Sequence, residues 1–271
     1  MPASLRMRVF AGPNGSGKSM MYKQVRTTVV DDRPVNLGSY LNPDDIAKTL
    51  KDTGELDLKN AFGIERNRAS LIRFAHSSGL LRGGFDAATM NAGHRFNGSL
   101  FTLLRPDLNE HFAQLITAFL CDLLIRRKQQ FSFETVFSHP SKLELLQRAA
   151  ANGFKVYLYF IATNSAEINK ARVKIRVREG GHDVPADRIE KRYYLSLDQL
   201  LPALDACYHA FIFDNSDTEP LMFAEMKKRP YGLSWAWVPS QIPDWFITHY
   251  LLASKKPLYE DVARKALETR K

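Results

Sequence analysis

The chain has 271 residues, 45% hydrophobic and 25% charged, which fits one large α/β domain, or one domain with an insertion, and excludes a disordered or fibrous chain. A formal net charge of +9 favours anionic partners, and the dispersal of the basic residues favours a phosphate-lined cleft over a nucleic-acid-binding arm. Its two cysteines, Cys121 and Cys207, lie in apolar sequence and read as buried free thiols of a reducing compartment, so a disulfide scaffold is excluded.

The N-terminus has no long apolar run, because Arg6 and Arg8 interrupt it. No leader and no membrane span are expected, and a cytoplasmic location follows. Residues 5–11 are a predicted strand. It leads into Gly12-Pro13-Asn14-Gly15-Ser16-Gly17-Lys18-Ser19, which fills every position of G-x-x-x-x-G-K-[ST] between a strand and a helix. The glycines let backbone N–H groups converge on a polyphosphate at the positive end of the helix predicted over 17–29. Lys18 would reach the β/γ-phosphates, and the Ser19 hydroxyl would ligand Mg²⁺.

A short strand is predicted at 35–41. Asn42-Pro43-Asp44-Asp45 then starts a helix, with Asn42 as N-cap and Pro43 in the first turn. Helices are predicted at 60–78 and 109–128, the second from apolar residues at three- and four-residue steps. Residues 82–107, rich in Gly, Asn, Arg and aromatics, read as a long loop and a candidate substrate lid or platform. Strands at 130–136, 155–162 and 210–213 alternate with helices at about 140–152, 164–179 and 187–206. A hairpin turning near Pro230-Tyr231-Gly232 and a helical segment over 243–270 end the chain, and the Trp235/Trp237/Trp245 cluster reads as packing.

Three places outside the glycine loop carry candidate chemistry. Asp44 and Asp45 follow the second strand, where a carboxylate can face a γ-phosphate and take a proton from an attacking hydroxyl; Asp44 is the candidate base. Glu134 ends the third strand within Phe-Ser-Phe-Glu-Thr, where an acid needs a partner: a substrate hydroxyl, a metal-bound water or an arginine. The run Lys170, Arg172, Lys174, Arg176, Arg178 lies on a helix whose core stripe reads as Ile168, Ala171 and Ile175. Arg172 and Arg176 flank that stripe as phosphate-clamp candidates, and Gly180-Gly181 offers a hinge for a lid. Arg188 and Arg192 offer a second clamp, and His139 and His182 lie beside the proposed cleft. Histidine and cysteine spacings show no metal motif. The central strand runs into Ala162-Thr163 and has no terminal Walker B aspartate, which leaves Mg²⁺ to Ser19, water and phosphates, with Asp44 as an added candidate.

These segments resemble the zeta toxin / UDP-N-acetylglucosamine kinase family of P-loop kinases, in its stand-alone branch. The resemblance rests on residues 11–19, Asn-Pro-Asp-Asp-Ile-Ala at 42–47 and Phe-Glu-Thr at 133–135. It extends to Arg-Val-Arg-Glu-Gly-Gly-His-Asp-Val-Pro at 176–185, Ile-Glu-Lys-Arg-Tyr at 189–193 and Phe-Asp-Asn-Ser at 213–216. It implies ATP and Mg²⁺ as cofactors, Asp44 as catalytic aspartate, Glu134 as substrate-binding glutamate and Arg176 on the ATP phosphates. The second arginine falls to Arg178, Arg188 or Arg192, near His182. The turn Thr135-Val136-Phe137-Ser138-His139 departs from the family's glycine-rich one.

The expected fold is α/β, a P-loop NTPase-type, mostly parallel sheet of five or six strands with helices on both faces. Residues 1–216 form the kinase-like domain with an insertion over 52–128, and 217–271 pack on it. The expected activity is transfer of the γ-phosphoryl group to a hydroxyl of a small molecule, UDP-N-acetylglucosamine or another nucleotide sugar among the candidates. By this reading Lys18, Asp44 and Arg176 are catalytic. Gly12 to Ser19, Arg176 and Arg178 bind nucleotide. Asp44, Asp45, Glu134, His139, His182 and Arg192 bind acceptor, and Ser19 binds metal. An antitoxin protein is a candidate partner, and nucleic acid is disfavoured. The alternatives are a nucleotide-switched, nucleic-acid-binding ATPase and a non-catalytic nucleotide-binding scaffold.

Overall fold

The computed structural model describes residues 5–30, 32–66, 68–181 and 183–269. β1 (Arg6–Ala11) is buried along nearly its whole length and leads through the glycine loop into α1 (Lys18–Thr27). The strand predicted over 35–41 is shorter. A two-residue hairpin, β2 (Val29–Val30) with β3 (Arg33–Pro34), precedes β4 (Ser39–Leu41). α2 (Pro43–Thr53) starts as expected, with the Asn42 side chain accepting the Asp44 N–H at 3.0 Å. β5 (Glu55–Asp57), α3 (Leu58–Phe62) and α4 (Arg68–Ser77) follow. The single helix predicted over 60–78 is therefore two, because Gly63 caps α3 in the left-handed region at φ +67°.

The predicted loop at 82–107 is largely ordered structure. It holds α5 (Ala87–Ala92), capped by Asp86, and a hairpin of β6 (His94–Asn97) and β7 (Leu100–Leu103). α6 (Asn109–Arg126), β8 (Phe131–Thr135), α7 (Pro140–Ala151) and β9 (Lys155–Ala162) come next. α8 (Ala166–Arg178), α9 (Ala186–Asp198), α10 (Leu200–Ala206) and β10 (His209–Asp214) continue the alternation. β11 (Leu221–Arg229) and β12 (Gly232–Trp237) form the expected hairpin. α11 (Asp244–Phe246) runs into a π-helical stretch, Ile247–Leu252, before α12 (Pro257–Glu268).

The chain divides into two compact units, Met1–Leu37 with Ser132–Lys271, and Gly38–Phe131. In the first, six strands lie in the order β12-β11-β10-β9-β1-β8. β1, β9 and β10 are parallel neighbours, and the antiparallel hairpin β11–β12 extends the edge. This is an α/β fold of the P-loop type. Ring stacking crosses the sheet from Phe10 to Tyr159 to Phe211, each step 5.0 Å between centroids. α1 covers that area with Met21 and Val25, which join Phe10, Leu37 and Ile161 in one apolar cluster. Burying side chains of this size contributes about 1.5–3 kcal/mol each, so packing fixes the helix that carries Lys18 and Ser19.

The second unit has its own core. β5, β7 and β6 make a three-stranded antiparallel sheet. His94 stacks on Phe101 at 5.5 Å, and Phe112 of α6 packs against both rings. By length and composition Pro106–Arg126 could cross a membrane, which the expectation of no span overlooked. Here most of its apolar length is buried inside the protein, the position of a core helix.

Candidate active site

The glycine loop is walled in on several sides by its own unit. A Cβ on Gly12 would strike the Ile161 carbonyl at the end of β9. One on Gly15 would stand 2.7 Å from the Asn169 carbonyl of α8, and one on Gly17 would strike the Asn215 amide. All three glycines have positive φ. The loop therefore needs glycine for close approach as well as for conformation. At its end α1 has no side-chain cap and no acid in its first turn, which leaves its leading N–H groups for an anion. Lys18 is buried, with Nζ donating to the loop's own Pro13 carbonyl at 2.8 Å. The buried Ser16 hydroxyl has no hydrogen-bond partner among the described residues and can donate to a phosphate oxygen. A cradle of this donor content and charge fits a nucleotide polyphosphate.

Glu134 lies beside the nucleotide loop. It is buried at the end of β8, and its Oε1 accepts the Ser19 hydroxyl at 2.9 Å. From its residues alone Glu134 could serve a substrate hydroxyl, a metal-bound water or an arginine, and β9 carries no Walker B acid at its end. The structure supplies a carboxylate on β8, the neighbour of β1 on the side away from β9. A hydroxyl and a carboxylate are hard oxygen donors, the set Mg²⁺ takes alongside phosphate and water. Among the described residues no cluster of three His, Cys, Asp or Glu side chains competes as a metal site.

After Glu134 the backbone is strained. Phe137 is fully buried yet adopts φ +60°, a conformation that costs a non-glycine residue about 1–3 kcal/mol. The Thr135 hydroxyl, which accepts the Phe137 N–H at 3.1 Å, helps hold it. His139 lies just beyond it and caps α7, its Nδ1 accepting the Ser141 N–H at 3.2 Å.

The arginine helix α8 is rotated from the predicted stripe. Ala166, Asn169 and Val173 are its buried residues, and Ile175 is 53% exposed. The cause is the loop itself: Asn169 and Val173 line the space beside Gly15. Val173 also packs with Val184 and Ile189. The cap is Ser165, whose side chain accepts the Ile168 N–H. Arg176 is half-buried on the flank of this stripe, whereas Arg178 is exposed on the far side. Gly180 and Gly181 form a Schellman cap and not an open hinge: their N–H groups bond the Val177 and Arg176 carbonyls at 3.0 and 2.9 Å. A Cβ on Gly181 would meet the Arg176 stem at 2.6 Å, so the pair seats that arginine. Arg172 is no phosphate clamp. Its guanidinium donates to the Asn215 carbonyl at 2.6 Å, the Asp217 carbonyl at 2.8 Å and the Ser216 carbonyl at 3.4 Å.

The turn that Arg172 holds was missed as part of the site. Asn215 follows β10, is 4% exposed, and donates from Nδ2 to the Ser16 carbonyl at 2.8 Å. Its signal was Asp214-Asn215-Ser216 closing the last parallel strand, at the sheet end where ligands bind in such folds. Asp44 and Asp45 are exposed in the first turn of α2 and belong to the Gly38–Phe131 unit, which is described by itself. Arg192 is half-buried on α9 and Arg188 is exposed. His182 lies outside the described residues.

Residues 107–221 match the family model described as Zeta toxin. A protein of Haemophilus influenzae described as uncharacterized is 39% identical over 69 residues, 26% of this chain and 49% of its own length. The chain thus spans about half the length of that relative. Among solved structures, the AvrRxo1-ORF1:ORF2 complex with ATP has a TM-score of 0.49 at 14% identity, covering 98% of this chain and 76% of its own. The PezAT toxin-antitoxin system of Streptococcus pneumoniae has a TM-score of 0.44 at 11% identity, covering 99% and 86%. Likeness at this level carries no functional argument. The matched segment holds Glu134, α8 with Arg176, and the 214–216 turn.

Proposed function

We propose that this protein is an ATP- and Mg²⁺-dependent kinase that phosphorylates a hydroxyl of a small molecule. The observation that carries the reading is the buried cradle on α1: a walled glycine loop, Lys18 inside it, and Ser19 bonded to Glu134. When bound, ATP supplies the transferable γ-phosphoryl and Mg²⁺ withdraws charge from it. Loop N–H groups and Lys18 hold the phosphate chain. Ser19 and Glu134 hold the metal with its water. Arg176, seated by the glycine pair, neutralises charge that spreads over the transferred group. Asp44 is proposed as the base that takes the acceptor's proton, from its place in Asn-Pro-Asp-Asp and the family resemblance.

A nucleotide sugar such as UDP-N-acetylglucosamine is the first acceptor class to try, because the family resemblance points there. The strained, non-glycine turn after Glu134 favours an acceptor of different shape from the family's own. An antitoxin partner and a cytoplasmic location belong to the same proposal; the two buried free cysteines fit a reducing compartment.

γ-Labelled ATP tested against nucleotide sugars, sugars, nucleosides and RNA decides the matter. The expected result is label on one hydroxyl-bearing class. Label is lost in Lys18→Ala together with ATP binding, and falls about 10²–10⁴-fold in Asp44→Asn with ATP binding intact. ATP hydrolysis stimulated by RNA with no labelled small molecule would overturn the kinase reading in favour of a nucleic-acid-binding ATPase.

A further inference from the structure

We propose that Asn215 and Trp245 are positioning residues for the nucleotide, so that the C-terminal segment beyond the family match sets the affinity of the glycine loop. The proposal rests on the reading of residues 12–19 as an ATP site.

A phosphate-binding loop works only if its N–H groups face inward. A peptide unit is planar and trans, so its C=O and N–H point in opposite directions. Asn215 Nδ2 bonds the Ser16 carbonyl at 2.8 Å. Holding that carbonyl outward turns the N–H of Gly17, in the same peptide unit, toward the opposite side. Asn215 has no freedom to drift. Its backbone N–H bonds the Ala162 carbonyl at 2.8 Å, its own carbonyl takes the Arg172 guanidinium, and its amide stands against Gly17.

The residue before it carries the connection outward. Asp214 Oδ1 accepts the Ser216 hydroxyl at 2.9 Å and the indole Nε1–H of Trp245 at 2.9 Å, and Oδ2 accepts the Ser216 N–H at 3.3 Å. The Ser216 hydroxyl in turn accepts the Asn164 N–H at 2.9 Å. Trp245 is 3% exposed, with its ring against Phe160, Phe223 and Phe246 and its indole N–H bonded to Asp214. Packing alone would be satisfied by an apolar ring. The indole donor adds a bond to the turn that holds the loop. Trp245 lies 24 residues beyond the end of the matched segment at 221. The aromatic cluster that reads from sequence as packing is therefore also a brace for the donor site.

The test is ATP titration of the full chain, with thermal melting in parallel. Asn215→Ala removes the loop contact. Trp245→Phe removes the donor and keeps a ring. Phe246→Leu loosens the same aromatic cluster, where its ring packs on Trp245, Phe223 and Tyr250. The wild type binds ATP. Asn215→Ala raises Kd about tenfold, and Trp245→Phe raises it about fivefold, as expected for losing one buried hydrogen bond each. The double variant binds no more weakly than Asn215→Ala alone, because the two lie on one path. Phe246→Leu melts lower but keeps Kd within twofold. Three results would each overturn the proposal: a Trp245→Phe Kd within twofold of wild type, additive losses in the double variant, or a Phe246→Leu Kd raised as far as that of Trp245→Phe. A wild-type chain that binds no ATP overturns the nucleotide reading itself, and this proposal with it.

Discussion

The glycines of the 12–17 loop and those of two turns in the Gly38–Phe131 unit do different work. Gly12, Gly15 and Gly17 each face an atom of another element where a side chain would begin. Gly63 and Gly98, in the Gly38–Phe131 unit, also have positive φ but have nothing within 4 Å of a Cβ. The first set is held by β9, α8 and the turn after β10. The second only lets the chain reverse. In the 12–17 loop the walls hold the backbone to one shape, whereas the open turns at Gly63 and Gly98 are free of such neighbours.

The largest effect that could break this comparison is Gly12→Ala. Its methyl would enter the Ile161 carbonyl, and ATP binding should fall by more than about 100-fold, or about 2.8 kcal/mol. Gly63→Ala should cost only about 1 kcal/mol of stability and leave ATP affinity unchanged. Equal losses of ATP affinity in the two variants would end the distinction.

A second contrast lies along α8. Arg176→Ala should slow transfer by about 10³-fold, as removal of a transition-state arginine does. Arg178→Ala, on the exposed side, should stay within about threefold, a change worth well under 1 kcal/mol. A loss under tenfold in Arg176→Ala would return that residue to a structural role.

Glu134→Gln sharpens the line between donor and acceptor. If the carboxylate serves the metal, Mg²⁺-dependent strengthening of ATP binding should drop about 10–100-fold while metal-free ATP binding holds. A raised acceptor KM with unchanged metal dependence would restore its expected place at the acceptor.

The smallest effect concerns pH. Each unit holds a histidine whose pKa burial lowers: His94 among the rings of Phe101 and Phe112, and His209 despite its bond to Glu225. The unfolded chain takes up these protons first. Stability is therefore full above the unfolded value near 6.5 and falls as pH drops below it. The melting temperature should decline from pH 7.5 to pH 5.5, and His94→Phe should reduce that decline. A melting temperature independent of pH over that range would contradict the assignment.

Much of the candidate nucleotide site was legible in the sequence because its residues are consecutive and each obeys a local rule. The loop, the cap at Asn42 and the strand-helix alternation all follow from residue type and spacing. What was not legible depended on packing. The stripe of α8 turned because Gly15 sits against Asn169 and Val173, and no periodicity within the helix encodes that neighbour. The role of Glu134 depended on which strand lies beside β1. The hairpin at 94–103 did leave a local signal, the two-residue Gly98-Ser99 turn, but a Gly- and Asn-rich composition obscured it. The Asn215 clasp joins residues 199 positions apart, beyond the reach of any local pattern.

The central claim, that residues 12–19 cradle the ATP phosphates, is tested most directly by calorimetric titration of ATP into the wild-type chain and Lys18→Ala. The account predicts one saturable site in the wild type, tightened by Mg²⁺, and no detectable binding in the variant. Equal binding by both chains, or none by the wild type, would contradict it.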